Sequence, residues 1–392
     1  MTEYRTDFDM LEKELSQKPV DPGRLITEEP TPNTQRLWEF LRSCKGKKFI
    51  SGQQYLWEDE MEDLVYYNVT GKLPAIRGYD FMGISGLARG YDQIGRALDW
   101  ARRTGGILTM CWHWNAPDDM ENIDRLCSFY YKTTQYDHKT SFDIIRAMQE
   151  GTPEHRFVIE EIDMVAGALK IFQQADIPVI WRPLHEANGN WFWWGNRGEE
   201  SVQAYKKLWY TIFDRFMNYH KLKNLIWVWN GQSNHCAIHP NSYDIAGTDK
   251  YYDGDDTSAA ALTEYYNESY KALQGYDAKC AELAGLESTG KMLTLSECGY
   301  IPDPQGCVDN NNMWLYYMVW NGDFIYDTTD SGAIKVDLNG TPSPNPERLT
   351  NEMLVEYFGN DAYITLKKLP EFSFGTRDIP QKIKNWEYFK VG

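Results

Sequence analysis

Two glutamates, Glu186 and Glu297, each stand at the end of a short apolar run that has the pattern of a buried β-strand. A carboxylic acid can protonate a departing oxygen, while a second, ionised carboxylate attacks or stabilises an electrophilic carbon. The hydrolysis of a glycosidic bond requires such a pair. Either glutamate alone would more often be a salt-bridging or loop-anchoring residue, so the prediction depends on the two side chains converging on one cleft.

The chain offers a polar and aromatic setting for this chemistry. It contains 15 Trp, 26 Tyr and 16 Phe. Many of these must pack in the core, yet indole faces beside polar groups also suit the C–H faces of sugar rings. Other apolar runs also end in polar or aromatic residues, namely Asp80, Trp112, His113, Arg182, His185, Asn230, Asp249, Tyr251, Trp320 and Asn321.

The elements that must position these residues are short strands alternating with helices. Eight strands are predicted at residues 48–53, 73–79, 106–112, 177–184, 225–229, 243–248, 291–296 and 313–320. Helical patterns lie at residues 92–103, 163–174, 201–219 and 258–286, and a first helix is expected to begin near Pro32. Several strands are apolar throughout, as in a parallel sheet covered by helices. Eight such units predict the α/β class and a (β/α)8 TIM barrel.

The main rival fold is a doubly wound open sheet. It would favour a glycine-rich phosphate turn after the first strand, and residues 51–54 hold no such motif. In a barrel, the active site lies at the carboxyl ends of the strands, where two long connections, residues 115–156 and 321–347, are expected to wall a cleft. We expect residues 1–30 to form an N-terminal arm and residues 31–392 a single catalytic domain.

Charge and cysteine content exclude several classes of protein. With 40 Lys and Arg against 57 Asp and Glu, the net charge of -17 argues against nucleic acid or an anionic membrane surface as a partner. No apolar run approaches the about 20 residues of a membrane-spanning helix. Seven scattered cysteines without a CxxC pair argue against a disulfide framework or a zinc site. The acidic residues 253–256 lack the spacing of an EF-hand and are expected to form a solvated turn.

Residues 181–195, WRPLHEANGNWFWWG, are similar to the acid/base segment of glycoside hydrolase family 26, the β-mannanase family of a retaining (β/α)8 clan. Residues 105–113, 243–251 and 295–299 support the resemblance. It implies that Glu186 is the acid/base and Glu297 the nucleophile of an enzyme that cleaves β-1,4-mannosidic bonds in mannan, galactomannan or glucomannan. Ala187 stands where many members carry Met, a departure that leaves both carboxylates unchanged.

The resemblance also implies roles for polar residues around the two glutamates. His185 is expected to contact the sugar or the nucleophile, unless it is a structural histidine. His113 is expected to bind substrate hydroxyls or support the acid/base, unless it only packs at a strand end. Tyr251 is similar to the family tyrosine that hydrogen-bonds the nucleophile. Arg182 would hold a carboxylate ionised or form a structural ion pair.

The remaining substrate contacts are expected from aromatic and amide side chains. Trp191 and Trp320 match aromatic positions that flank the reacting sugar, and Trp112 and Asn230 are further candidates. Of the adjacent residues 193 and 194, one tryptophan is expected to touch the substrate and the other to pack in the core. The His185-Glu186 pair is not a zinc-binding HExxH helix, because residue 189 is glycine.

The resemblance implies an enzyme that binds a polysaccharide and needs neither metal nor cofactor, and we expect it to be a monomer. Because such a polymer is too large to cross a membrane, we expect a secreted, periplasmic or surface-attached enzyme whose signal peptide has been removed. Two alternatives stay open. The same fold and mechanism would serve another β-glycan, such as β-1,3-xylan or mixed-linkage β-glucan, and a barrel without activity would serve as a carbohydrate-binding protein.

Overall fold

Eight parallel strands close into a barrel in the computed structural model, which describes residues 4–56, 60–84, 93–121, 127–338, 340–380 and 382–385. Each strand pairs with the next along the chain, and the last returns to the first through Val319 and Gln53. The predicted TIM barrel is therefore confirmed. Its strands are β1 Gly52–Gln54, β2 Ile76–Asp80, β3 Ile107–Cys111, β4 Val179–Arg182, β5 Leu225–Trp229, β6 Ile245–Lys250, β7 Met292–Cys298 and β8 Tyr317–Val319.

Helices follow most of the strands and cover the barrel. A π-helical turn at Arg215–Tyr219 continues the helix Glu199–Asp214, and residues 382–385 are helical. Short 3-10 turns lie at Phe81–Gly83, Pro240–Ser242, Gly322–Phe324 and Leu366–Lys368. None of the helices in the described ranges is long and apolar enough to cross a bilayer. The α-helices are α1 Phe8–Gln17, α2 Pro32–Cys44, α3 Met61–Thr70, α4 Gln93–Thr104, α5 Ile144–Ala147, α6 Pro153–Gln174, α7 Glu199–Asp214, α8 Ala259–Glu282, α9 Pro304–Asp309 and α10 Asn351–Gly359.

Side-chain caps explain where the long helices begin. Thr152 caps α6 by accepting the main-chain N–H of His155, and Pro153 occupies the first turn, where its missing N–H costs nothing. Ser258 caps α8 in the same way by accepting the N–H of Ala261. Helix α6 begins ten residues before the predicted residue 163. The prediction began too late because charged residues interrupt the apolar pattern in the first turns of the helix.

The first predicted strand, residues 48–53, is in fact two strands. Phe49–Ile50 leaves the barrel and pairs in parallel with Tyr363–Ile364 near the C-terminus, and β1 begins only at Gly52. A Cβ at Gly52 would lie 2.4 Å from the main-chain oxygen of Tyr317. Only glycine permits this close approach of β8, which closes the barrel.

The N-terminal segment, expected to be an arm, contains α1 and lies against the barrel. Leu11 and Leu15, four residues apart, are buried on one face of α1. The amide of Asn241 donates to the main-chain oxygens of Leu15 and Lys18, at 2.8 Å each. Two apolar residues in a polar stretch are a weak sequence signal, so this helix was not predicted.

None of the seven cysteines, all within the described ranges, forms a disulfide. Six are buried, in barrel strands, in helices or, for Cys236, in the connection after β5. Cys127 is partly exposed on the two-residue strand Cys127–Ser128, which pairs with Ala116–Pro117. Burial raises the pKa of Cys236, Cys280 and Cys307 to about 12. These thiols act as small apolar groups in the core.

Candidate active site

Glu186 and Glu297 converge at the carboxyl end of the barrel, as the chain pattern predicts. One carboxylate oxygen of each, and one of Asp249 at the end of β6, all lie within 4.8 Å of one another. Retaining glycosidases hold their two carboxyl groups about 5–5.5 Å apart, and inverting ones about 6.5–9.5 Å. The oxygens of Glu186 and Glu297 therefore lie closer together than the inverting spacing.

Two donors fix the carboxylate of Glu297, which is 4% exposed. The guanidinium of Arg182 donates to Oε1, and the hydroxyl of Tyr251 donates to Oε2 at 2.7 Å. Arg182 also donates to Asp249 at 2.7 Å, and Asn230 donates to the other oxygen of Asp249 at 2.7 Å. Charge-assisted bonds of this kind orient a carboxylate strongly.

Glu186 lies on a strained turn directly after β4. Leu184 and Glu186 have φ of 51° and 54°, a left-handed conformation that is uncommon for residues other than glycine. Such strain occurs at functional sites, where the surrounding structure holds it in place. Trp191 Nε1 donates to Glu186 Oε2 at 2.7 Å and so fixes the carboxyl group over the barrel mouth.

The protonation of Glu186 differs from that of an ordinary glutamate. Burial, and then the nearby charge of Glu297, raise the pKa of Glu186 to about 7, against the opposing effect of the Trp191 hydrogen bond. Glu186 therefore keeps its proton close to neutral pH. Burial likewise raises the pKa of Asp249 well above its usual range, although Arg182 opposes this.

The turn that carries Glu186 also shapes the position of Trp191. A Cβ at Gly189 would lie 2.2 Å from the Trp191 ring, so the indole packs directly on the glycine backbone. The ring is partly exposed beside Glu186. Glycine at 189 is therefore required for the Trp191–Glu186 contact.

A pair of histidines lies beside the glutamates. The Nε2 atoms of His113 and His185 are 3.1 Å apart, and His185 Nε2 is 4.0 Å from Glu297 Oε1. His113 Nδ1 is hydrogen-bonded to Asp80, a residue that the sequence placed at the end of a strand without assigning it a role. Burial opposes protonation of His113, but Asp80 outweighs it and raises the pKa of His113.

The two long connections both contact this site. In the first, the main-chain N–H of Tyr131 donates to the carbonyl of Trp191 at 2.6 Å, which places this segment against the turn that carries Glu186. In the second, the ring of Phe324 lies 5.6 Å from that of Tyr251. Residues 122–126 and 339 of these connections lie outside the described ranges.

Comparison with known proteins decides the family. A profile of glycosyl hydrolase family 26 matches residues 26–337. The chain belongs to glycosyl hydrolase family 26. The mannan endo-1,4-beta-mannosidase B of Piromyces sp is 33% identical over 360 residues, which cover 89% of this chain and 54% of that protein. A mannan endo-1,4-beta-mannosidase of Thermothelomyces thermophilus is 33% identical over 299 residues, which cover 75% of this chain and 56% of that protein. The chain thus spans about half the length of these curated relatives.

Solved structures of family 26 share the barrel. The beta-mannanase from a symbiotic protist of the termite Reticulitermes speratus, complexed with gluco-manno-oligosaccharide, has a TM-score of 0.71 and 26% identity, covering 89% of this chain and 98% of that one. A ruminal GH26 endo-beta-1,4-mannanase has a TM-score of 0.70 and 28% identity, covering 95% of this chain and 73% of that one.

The structure brings together most of the side chains that the family-26 resemblance selects. Trp320 is partly exposed, with its ring 5.9 Å from that of His113. Two candidate contacts lie beneath the surface. Trp112 is 1% exposed with its ring stacked on Trp114, and Asn230 is fully buried against Asp249, so neither reaches the cleft directly.

The expectation that either Trp193 or Trp194 touches substrate is wrong. Both are fully buried. Trp193 Nε1 donates to the carbonyl of Trp114 at 2.6 Å, and Trp194 Nε1 donates to the carbonyl of His185 at 2.9 Å. The turn after Glu186 folds both indoles inward, because each N–H finds a buried main-chain acceptor there.

Two groups of side chains in the described ranges have the spacing of metal ligands: Glu186, Asp249 and Glu297, and Asp80, Cys111 and His113. In the first group, the guanidinium of Arg182 already donates to Asp249 and Glu297. In the second, His113 Nδ1 is engaged by Asp80. Residues 253–256 are exposed. The donor sets therefore suit ion pairs and hydrogen bonds between protein groups.

Proposed function

We propose that this family-26 barrel is a retaining hydrolase of β-1,4-mannosidic bonds in mannan, galactomannan or glucomannan. The observation that carries the proposal is the pair Glu186 and Glu297, whose oxygens lie within 4.8 Å and whose environments differ. Glu186 has a pKa raised to about 7, whereas Glu297 contacts a guanidinium. Two carboxyl groups held in different protonation states are what acid-assisted displacement needs. The names of the curated relatives support β-mannan as the substrate.

In the first step, the carboxylate of Glu297 attacks the anomeric carbon while Glu186 transfers its proton to the departing glycosidic oxygen. The bond between the anomeric carbon and that oxygen breaks, and a glycosyl ester forms on Glu297. In the second step, Glu186, now a carboxylate, takes a proton from water as the water oxygen attacks the anomeric carbon. The ester bond breaks, Glu297 is released as a carboxylate, and two inversions retain the configuration.

The surrounding residues are proposed to bind and orient. Tyr251 and Arg182 aim Glu297 at the anomeric carbon through the hydrogen bonds described above. Trp191 and Trp320, both partly exposed, flank the reacting sugar. The buried Asn230 acts through Asp249.

Trp112 supports the cleft by packing beneath it. His113 is proposed to contact substrate hydroxyls, and the fully buried His185 is proposed to act on the nucleophile Glu297, which lies 4.0 Å from its Nε2.

We further propose that residues 31–392 act as one catalytic domain, with residues 1–30 packed against it, and that the enzyme works as a monomer. Because a mannan chain is too large to enter a cell, the enzyme should act outside the cytoplasm. Gel filtration would test whether the enzyme is a monomer, and cell fractionation would test whether it acts outside the cytoplasm. A dimer in solution, or enzyme found only in the cytosol, would refute them.

The first experiment is incubation with linear mannan, galactomannan, β-1,3-xylan and barley β-glucan, followed by chromatography of the products over time. Manno-oligosaccharides from the first two substrates support the proposal. Products from xylan or β-glucan alone would overturn the substrate while keeping the mechanism. The absence of products from all four would favour a carbohydrate-binding barrel.

Substitution of the glutamates tests their roles. Glu186→Ala should retain the first step on an aryl mannoside with a good leaving group and should respond to added azide, because nucleophile and ester formation remain. Glu297→Ala should lose both steps. The exposed Glu200→Ala is the matched control and should behave as wild type. Equal activity of Glu186→Ala and Glu297→Ala, without azide rescue of either, would refute the assignment.

A further inference from the structure

Asp80, at the end of β2, has both carboxylate oxygens engaged although it is 2% exposed. Oδ1 accepts the main-chain N–H groups of Met82, at 2.8 Å, and His113, at 3.0 Å. Oδ2 faces the ring nitrogen Nδ1 of His113. These donors lower the pKa of Asp80 despite its burial. A carboxylate can only accept here, so His113 must carry its proton on Nδ1.

The opposite nitrogen of His113 faces a second imidazole. His113 Nε2 and His185 Nε2 are 3.1 Å apart, and only one proton fits between two nitrogens at this distance. His185 is fully buried, and its other nitrogen, Nδ1, has no partner among the described residues. His185 Nε2 is 4.0 Å from Glu297 Oε1. The location of the shared proton therefore decides whether His185 presents an N–H or a bare nitrogen to the nucleophile.

We propose that Asp80 is a positioning residue for the hydrolysis: by holding the Nδ1 proton of His113, it sets which nitrogen of the His113–His185 pair carries the shared proton beside Glu297. Within the described ranges, Asp80 makes no hydrogen bond to either catalytic glutamate. It acts through the two imidazoles, as an aspartate does when it selects one tautomer of a catalytic histidine. The inference rests on the proposed hydrolase function.

The surroundings of the pair support a shared proton. Burial, Arg182 and His113 lower the pKa of His185 well below its usual range, whereas Asp80 raises that of His113. The pair therefore accepts an extra proton on His113 first. The ring of Phe192 contacts both imidazoles, and the rings of Phe129 and Trp320 contact that of His113. The charged and titratable groups that face the pair are Asp80 from β2, Cys111 from β3, Arg182 and Glu186 from the end of β4, and Glu297 from β7.

Asp80→Asn tests the proposal with almost no change in shape. The two main-chain N–H groups that bind Oδ1 keep the amide oxygen in that position, so the amide NH2 must face His113 Nδ1. His113 then carries its proton on Nε2 and donates it to His185, whereas in wild type the neutral His113 accepts at Nε2 from His185. We expect kcat on mannan to fall at least about tenfold, with the protein still folded, because the imposed tautomer is the wrong one.

A tautomer readout separates positioning from a merely structural role. In wild type, nitrogen NMR of labelled histidine should show a protonated Nδ1 on His113, and in Asp80→Asn an unprotonated one, with a changed pH dependence of kcat. The matched control is Asp244→Asn at the far end of the barrel, a buried aspartate that also accepts two main-chain N–H groups, from Ile26 and Trp227 at 2.8 Å each. It should leave the histidine signals and the pH profile unchanged.

The outcomes are distinguishable from those that test the hydrolase itself. An active wild type with Asp80→Asn unchanged in kcat, in its pH profile and in the His113 signals would overturn the inference and leave the proposed function intact. A loss of kcat that Asp244→Asn reproduces, with no change of tautomer in Asp80→Asn, would also overturn it. Loss of kcat with the altered His113 tautomer supports it.

Discussion

Replacing Glu297 by Gln should lower the pKa of Glu186. The charge of Glu297 is the second largest cause that raises this pKa to about 7, after burial. Two unit charges 4.8 Å apart, the upper limit for these carboxylate oxygens, repel by about 3.5 kcal/mol at an effective dielectric constant of about 20, equivalent to about 2.5 pH units. Arg182 cancels part of this repulsion because it contacts Glu297. We therefore expect a fall of about 1 to 2 pH units, with burial holding the pKa above that of a free glutamate.

The assay is a carbon-13 NMR titration of protein labelled at the glutamate side-chain carboxyl carbons. Glu186 is assigned from the signal that disappears in Glu186→Gln, and its midpoint is compared in wild type, Glu297→Gln and the exposed control Glu200→Gln. The control should titrate as wild type. A Glu186 midpoint that stays near 7 in Glu297→Gln would refute the reasoning, because burial alone would then set the pKa.

The same electrostatics explain how one residue can serve as acid and then as base. When Glu297 becomes an ester in the proposed first step, its negative charge disappears. The pKa of Glu186 then falls as it does in Glu297→Gln, so Glu186 stays ionised and can take a proton from water. The close spacing of Glu186 and Glu297 thus keeps Glu186 protonated before the ester forms and ionised afterwards.

Three further substitutions test contacts around these groups. Trp191→Phe removes a hydrogen bond that lowers the pKa of Glu186, so this pKa should rise. The alkaline limb of the kcat/KM profile should then move to higher pH. An alkaline limb that stays in place or moves to lower pH would contradict the role of Glu186 as the acid. Tyr251→Phe removes a hydrogen bond to a carboxylate, worth about 1.5–3 kcal/mol, and should lower kcat about 10- to 100-fold with the protein still folded. Wild-type kcat would show that Arg182 alone orients Glu297. Gly189→Ala should cost about 1–3 kcal/mol of unfolding free energy in urea, because the new Cβ overlaps the Trp191 ring; full stability would mean that the indole moves freely.

The barrel and its two glutamates were predictable because both follow from local patterns. Strand β5, for example, is apolar at all five positions in the sequence and buried at all five in the structure. The polar residue after each run marks the carboxyl end of a strand, and parallel strands bring those ends together. Glu186 and Glu297 could thus be paired across 110 residues of chain without any knowledge of their distance.

The remaining features depend on contacts between distant segments. Asp80 and Asp249 were visible only as strand ends, because their roles come from His113 and Arg182 on other strands. The burial of Trp194 depends on the carbonyl of His185, which accepts its N–H from a turn with positive φ. No residue pattern in the sequence predicts that turn. Composition shows how many aromatic rings the chain has but not which of them face the cleft.

The seven free cysteines make the opening of this barrel measurable residue by residue. An alkylating reagent reacts with an exposed thiolate, and the six buried thiols are neither exposed nor easily ionised. Cys127 should therefore be modified first in the folded protein. Cys111 in β3 and Cys298 in β7 lie on opposite sides of the barrel. Mass spectrometry of their labelling over time would show whether these two strands become exposed at the same time or one after the other.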